Sequence, residues 1–246
     1  MRGDELERLV LHVGTLFEHD AQGRIVRNRE PSGARAPRFY LGRSRLGNVW
    51  RMRDDLSKSA VTRLSRLAGK ERPPDERFAP PERSEAFREV LRESAPIAFE
   101  WRGPAFAFPD APVVRHDAVA GAAADGSRVA ELTLADDALL REHFPSETAA
   151  ELVGRAPAVA VVQGGSAVSL CFCARWLDGR AAEAGVETAA FARGRGYAPR
   201  AVAAWALAVR RAGAEPLYST SWENAASRTV ARRLGLVQYG EDVHFT

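Results

Sequence analysis

The stretch FARGRGYAPR, residues 191–200, holds three arginines, two glycines and a proline in ten positions. Before it runs EAGVETAA, residues 183–190, whose composition predicts a strand. After it, Val202, Trp205, Ala206 and Val209 form one stripe of a helix predicted over Pro199–Ala212, with Gly213 past its end. The first four N–H groups of a helix have no partner inside it. Together with the helix dipole they attract an anion. Gly194 and Gly196 carry no Cβ to keep a phosphate away from those amides. Pro199 falls in the first turn, where a missing N–H costs little. Arg193 and Arg195 add permanent charge in bidentate geometry. Strand, glycine-arginine turn and helix together point to a pyrophosphate cradle at Arg193, Gly194, Arg195, Gly196, Tyr197 and Ala198. The stretch is neither G-x-x-x-x-G-K-[ST], having no lysine, nor G-x-G-x-x-G. A solvated loop or a disordered RNA-binding tract would not explain a single copy set between a strand and an amphipathic helix.

Around this centre the second half of the chain alternates strands and helices. RVAELTL (128–134) predicts a strand, followed by short helices in ADDALLREHF and in SETAAELVGR, the latter with Ser146 as cap. AVAVVQ and SAVSLCFCARW are apolar strands joined by Gly164-Gly165, a two-residue hairpin signal. After the arginine-rich turn and its helix come a strand in PLYSTS, a helix over Asn224–Leu234 stopped by Gly235, and a last strand in LVQYGEDVHF. Cys171 and Cys173 stand two apart with no second pair, so they make a poor metal site and are expected as free core thiols in a reducing compartment.

The first half predicts a helix through Leu6, Leu9, Val10, Val13 and Phe17, and strands in GRIVRN, RFYLGRS and GNVWRMR. A second helix is expected from Asp54 or Asp55 to Leu67 with Gly69 as its stop, and a short third from Ser84 as cap to Arg92. Residues 69–83, rich in proline and charge, suggest a linker or exposed loop. Strand-like pieces follow at Ile97–Trp101 and Val113–Arg115. The small, flexible stretch AVAGAAADGS (118–127) marks a boundary between a smaller α+β domain, 1–124, and a second domain, 125–246.

Of 246 residues, 46% are hydrophobic and 27% charged, the balance of a globular protein with a core. The net charge of +3 falls short of a nucleic-acid-coating protein. All basic residues but Lys58 and Lys70 are arginine, which reads first as codon composition and second as recognition of phosphate or carboxylate. No apolar run is long enough to span a membrane, and MRGDELERLVLHVG lacks the features of a signal peptide, so a cytoplasmic location is expected.

The pattern R-x-x-G-x-A at Arg193, Gly196 and Ala198, with WENAASRTVARRLGL (222–236) about thirty residues later, resembles the GNAT superfamily of acetyl-CoA-dependent N-acyltransferases. The first match is similar to that family's pyrophosphate signature. The second, through Asn224, Ser227, Gly235 and Leu236, is similar to its N-x-x-S/A … G-F segment. The likeness covers 125–246; the front part resembles the leading domain of a bacterial subgroup of uncharacterised GNAT-like proteins, which implies no substrate. The resemblance implies an α/β fold of the α+β type with a mixed, mostly antiparallel sheet flanked by helices. In it the strand before the cradle and the strand after the helix splay apart around the pantetheine arm. Val186, Glu187 and Thr188 would bond that arm through main-chain groups, with Asn224 and Ser227 beside it.

The implied chemistry is direct acetyl transfer from acetyl-CoA to a primary amine of a small acceptor, without a metal. A carboxylate must accept a proton from the amine, and a backbone N–H near Thr188 would stabilise the oxyanion. Glu183 and Glu187 lie four apart on one strand and share a face, and both are candidate bases. The general-acid tyrosine expected seven residues after Asn224 is replaced by Ala231, leaving water, Tyr197 or Tyr239 as substitutes. That departure keeps open a CoA-binding sensor or scaffold without turnover. A third reading is a nucleic-acid binder built on Arg24, Arg27, Arg29, Arg43, Arg45, Arg51 and Arg53. Arg43 and Arg45 are alternatively the grip for an acceptor that also carries a carboxylate or phosphate. His116 and His143 lack a nucleophile elbow nearby, Trp222 could line the acyl site or the core, and a homodimer stays open.

Overall fold

A computed structural model describes residues 5–30, 35–75, 78–109 and 123–246. The predicted strand Val113–Arg115, His116 and residues 118–122 of the flexible stretch lie outside these. In chain order the helices are α1 (Glu5–Leu16), α2 (Lys58–Ala68), α3 (Ser84–Arg92), α4 (Asp137–Leu140), α5 (Ala149–Val153), α6 (Tyr197–Arg211) and α7 (Ala225–Arg233). The strands are β1 (Phe17–His19), β2 (Ile25–Asn28), β3 (Phe39–Ser44), β4 (Gly47–Met52), β5 (Glu100–Ala107), β6 (Arg128–Glu131), β7 (Val159–Gln163), β8 (Ser166–Leu177), β9 (Ala181–Thr188), β10 (Glu215–Ser219) and β11 (Val237–Phe245). They form two compact units: Met1–Phe106 with Ser219–Asn224 and Gln238–Thr246, and Ala107–Tyr218 with Ala225–Val237.

In the first unit the strand order is β4-β3-β11-β5, and β1 pairs with β2 separately. β11 lies antiparallel to β3, from Glu241 opposite Arg43 to Phe245 opposite Phe39. Phe39, Leu41, Met52, Leu64, Phe87, Leu91, Val243 and Phe245 make one apolar core beneath α2 and α3. Each such side chain contributes about 1.5–3 kcal/mol when removed from water. Gly103 on β5 is required by a close backbone approach. Thr220 and Trp222 donate their N–H groups to Pro104 and Arg102, and a Cβ at 103 would run into the Thr220 carbonyl.

Helix entrances are set by local hydrogen bonds, and they correct three expected caps. Ser57, three residues past Asp54, caps α2 by accepting from the Ala60 N–H, and Gly69 closes the helix in right-handed rather than left-handed conformation. Ser84 is the first residue of α3, and its hydroxyl donates to the Pro81 carbonyl. Thr148, not Ser146, caps α5: it accepts from the Glu151 N–H while Glu151 reaches back, a reciprocal capping box.

In the second unit the order is β10-β9-β8-β7-β6. The β6/β7, β7/β8 and β8/β9 pairs are antiparallel, while β9/β10, joined through α6, is parallel. Gly164 and Gly165 turn the β7/β8 hairpin with φ of +61° and +91°, as their sequence predicts. α6 buries the predicted stripe, with Val202, Trp205 and Val209 fully enclosed. Cys171 and Cys173 are free, buried thiols on β8; burial pushes Cys173 up to about 11, so it stays protonated.

Candidate functional site

The β9/β10 ladder pairs Glu215 with Ala181, Pro216 with Ala182 and Leu217 with Glu183, and stops there. β9 continues to Thr188, paired with β8 alone. Among the described residues, one edge of Ala184–Thr188 therefore has no partner strand. Ala189 donates its N–H to Val168 on the β8 side. Main-chain direction alternates along a strand, so Gly185 and Glu187 turn their groups to β8, while Val186 and Thr188 turn theirs to the open edge. Of the three residues expected to bond an extended ligand through the main chain, Val186 and Thr188 fit. Glu187 is corrected in that role, and its carbonyl also accepts from the Ser169 hydroxyl at 2.9 Å. The Thr188 carbonyl accepts from Arg193 Nε at 3.3 Å, which draws the guanidinium to the end of that edge.

The chain then makes a 3-10 turn at Ala190–Ala192 and enters α6 through Gly194 and Gly196, with φ of +79° and +87°. Gly196 occupies the cap position in left-handed conformation and has no side chain with which to bond the helix amides. A Cβ built on either glycine meets nothing within 4 Å. Among the described residues, nothing fills the space beside these two glycines. Arg193 and Arg195 are exposed beside it. Tyr197 turns inward instead: its hydroxyl lies 3.0 Å from Asp125 Oδ2 and 3.0 Å from Gln163 Oε1. Arg200, one turn on, bonds the Ser127 hydroxyl, so the start of α6 is clamped from two sides. Tyr197 contributes its backbone to the cradle, and Ala198 follows it in the first turn.

The two candidate bases have different surroundings. Glu183 is only 2% exposed and lies 3.8 Å from Arg175. Glu187 is exposed. Between them, Gly185 sits opposite Phe172, whose ring occupies the space a Cβ at 185 would take. Arg155 lies over that ring, 3.6 Å from its centroid. Glu147 in turn lies 3.7 Å from Arg155. Burial raises its proton affinity above that of an ordinary glutamate; Arg155 opposes this, while Glu187 and Glu151 add to it. Glu147 was not singled out from the sequence, because SETAAELVGR reads there as the start of a helix rather than as one wall of a site.

The remaining expected residues are placed as follows. Ser227 on α7 shares a 2.7 Å hydrogen bond with the hydroxyl of Tyr218 on β10. Tyr218 is buried, and its phenol is pushed up to about 12 mainly by that burial. Ala231 is buried in α7. Asn224 belongs to the first unit and directly precedes α7; its N–H bonds Ser221. Trp222 is likewise in the first unit, where its Nε1 donates to Glu241 at 3.0 Å beneath Arg102. Tyr239 is bonded to His12 at 2.9 Å and fully enclosed, so neither it nor Tyr197 is a free acid. His143 packs tilted against Phe191, centroids 4.6 Å apart.

The arginines of the first unit are taken up by its own groups. Arg43 is buried against Glu241 at 2.5 Å and Glu71 at 3.7 Å. Arg24 pairs with Asp20, Arg27 with Glu18, Arg45 with Glu5 and Arg53 with Asp55. Arg29 donates to the Gly14 carbonyl and Arg51 to that of Trp50. This corrects Arg43 and Arg45 as an acceptor grip and removes the premise of a nucleic-acid face. Among the described residues no group of three or more potential ligands could hold a metal, and no helix is long and apolar enough to cross a membrane.

A parallel strand pair that parts beside an open helix-entrance cradle is the arrangement the resemblance implied. The fold resembles that of GNAT structures. Solved structures similar to this chain include a GCN5-related N-acetyltransferase-like protein from Streptococcus suis 89/1591, at 13% identity and TM-score 0.48, covering 86% of this chain and 85% of that one. Another is a GCN5-related N-acetyltransferase from Sphaerobacter thermophilus, at 14% identity and TM-score 0.47, with 89% and 81% covered. A GNAT-family structure from Novosphingobium aromaticivorans DSM 12444 matches at 16% identity and TM-score 0.46, over 61% of this chain and 65% of its own length. No family model matches the sequence, and no curated protein does.

Proposed function

We propose that the protein is an N-acetyltransferase that moves an acetyl group from acetyl-CoA to a primary amine of a small acceptor by direct transfer. The observation that carries this is the end of the β9/β10 ladder at Leu217 and Glu183, beside a cradle whose glycines face open space. The cradle suits a diphosphate: bare amides at a helix start, backed by Arg193 and Arg195. Val186 and Thr188 would bond the pantetheine arm, and the Thr188 N–H would serve the developing oxyanion. Residues 125–246 would carry this donor machinery, with Ser227 kept as a neighbour of the arm. Of the two strand glutamates, Glu187 is the one an amine can reach, since Glu183 is enclosed with Arg175. Acetyl-CoA at a hundredfold its dissociation constant should stabilise the fold by about 2.7 kcal/mol. Calorimetric titration together with thermal denaturation checks this, and no binding at millimolar acetyl-CoA would end the proposal.

The second reading is a CoA-binding sensor without turnover. It is favoured by Ala231 in the position of the expected tyrosine and by the engaged hydroxyls of Tyr197 and Tyr239. Tight CoA binding without thiol release across a broad set of amines would select it. Any robust release removes it.

A further inference from the structure

Glu147 belongs to neither expected motif, yet it is fixed with care. Its N–H bonds the Phe144 carbonyl, and Thr148 beside it caps α5 through a reciprocal box. Its carboxylate is held by Arg155, and Arg155 is held by the Phe172 ring, which lies across Gly185. Glu187 stands two residues further along β9, on the same face as Gly185. The segment from Gly185 to Thr188 is the one whose far edge β10 leaves open.

Resting on the transferase reading, we infer that Glu147 and Glu187 together receive the acceptor's ammonium group, with Glu147 taking its proton. The carboxylates of Glu147, Glu187 and Glu151 outnumber the one guanidinium of Arg155, and this negative balance suits a cationic amine and disfavours one that also carries a carboxylate. The ammonium gives one proton to Glu147 and becomes a neutral amine. Its nitrogen then bonds to the thioester carbon, the C–S bond breaks, and the second nitrogen proton passes to the departing sulfur. Amide, thiol and one proton on Glu147 are the products. Burial makes Glu147 hold a proton to higher pH than a solvated glutamate, against the pull of Arg155 and with Glu187 and Glu151 adding to it, which strengthens it as a base once ionised. As it must be ionised to act, turnover declines when the pH falls through that raised value.

The test uses the full chain with acetyl-CoA and two probes, hexylamine and 6-aminohexanoate, following thiol release from about pH 4 to 9, a range that starts below the ordinary glutamate value. Glu147→Gln is expected to lose about 100-fold or more in kcat/KM for hexylamine, to lose the acid limb of the profile, and to bind acetyl-CoA within twofold of the parent. Glu147→Asp should restore part of the rate and the limb. Hexylamine should be preferred to 6-aminohexanoate by about tenfold or more. A Glu147→Gln protein within threefold of the parent, or a preference for 6-aminohexanoate, overturns the inference while leaving the donor site standing. Failure of the parent to bind acetyl-CoA overturns the donor reading and this inference with it. If acetyl-CoA binds but neither amine turns over, carboxyl NMR decides: Glu187→Gln should lower the Glu147 titration midpoint, and an unmoved midpoint rejects the shared site.

Discussion

At the residue scale, Gly196 separates backbone freedom from side-chain bulk. Its φ of +87° is a conformation that costs an alanine about 1–2 kcal/mol, and a Cβ there would enter space that is now unfilled. Gly196→Ala should lower the melting temperature by a few degrees and weaken acetyl-CoA binding by more than tenfold; the two effects are read separately by denaturation and by titration. Gly185 is different. Its φ is ordinary, but a Cβ would meet the Phe172 ring. Gly185→Ala therefore forces the ring and the Arg155 above it to shift, at a cost of about 1–3 kcal/mol. A loss of acceptor turnover larger than the loss of acetyl-CoA affinity is expected, and steady-state kinetics on both substrates measures it. The role of Gly194 and Gly196 could be read from sequence, because glycine next to a helix start has few other uses. That of Gly185 could not, since the ring that requires it sits on another strand.

At the scale of elements, hydrophobic period and turn residues carried most of the fold. The stripe on α6, the Gly164-Gly165 hairpin and the strand before the cradle all stand where their patterns put them. The caps were less legible. Ser57, Thr148 and Arg83 won over Asp54, Ser146 and Ser84 because each cap depends on where the chain turns, not on which hydroxyl is nearby. The end of the β9/β10 ladder was reached through the resemblance, since no residue type marks the point where two strands part. The acidic surroundings of the strand's free end were missed for the same reason: Glu147 and Arg155 come from the loops before and after α5 and Phe172 from β8, and only the fold brings them together.

At the scale of the molecule, the surplus of arginine suggested an anion-binding front, and the fold spends those charges internally. Arg43 is 3% exposed between Glu241 and Glu71, and it also donates to the Ala79 carbonyl at 2.8 Å. Removing one partner of such a buried group costs about 3–5 kcal/mol. Arg43→Ala should thus lower the melting temperature by about 10 °C in a chain of this length, without raising the Michaelis constant of the acceptor selectively. Denaturation scans and kinetics below the new midpoint check both halves. Net charge was a poor guide here because pairing across strands is invisible in a composition.

Of the described strands β11 is made after all the others, yet it lies against β3, which is made among the earlier ones. While the ribosome is still at work, β3 and β4 wait with an unfilled flank, and the apolar side of the first core has no lid from Val243 and Phe245. Contacts so distant along the chain close slowly. Premature termination that spares every residue of the cradle would still leave the opening hundred residues unable to settle, and quality control rather than catalysis would register the loss.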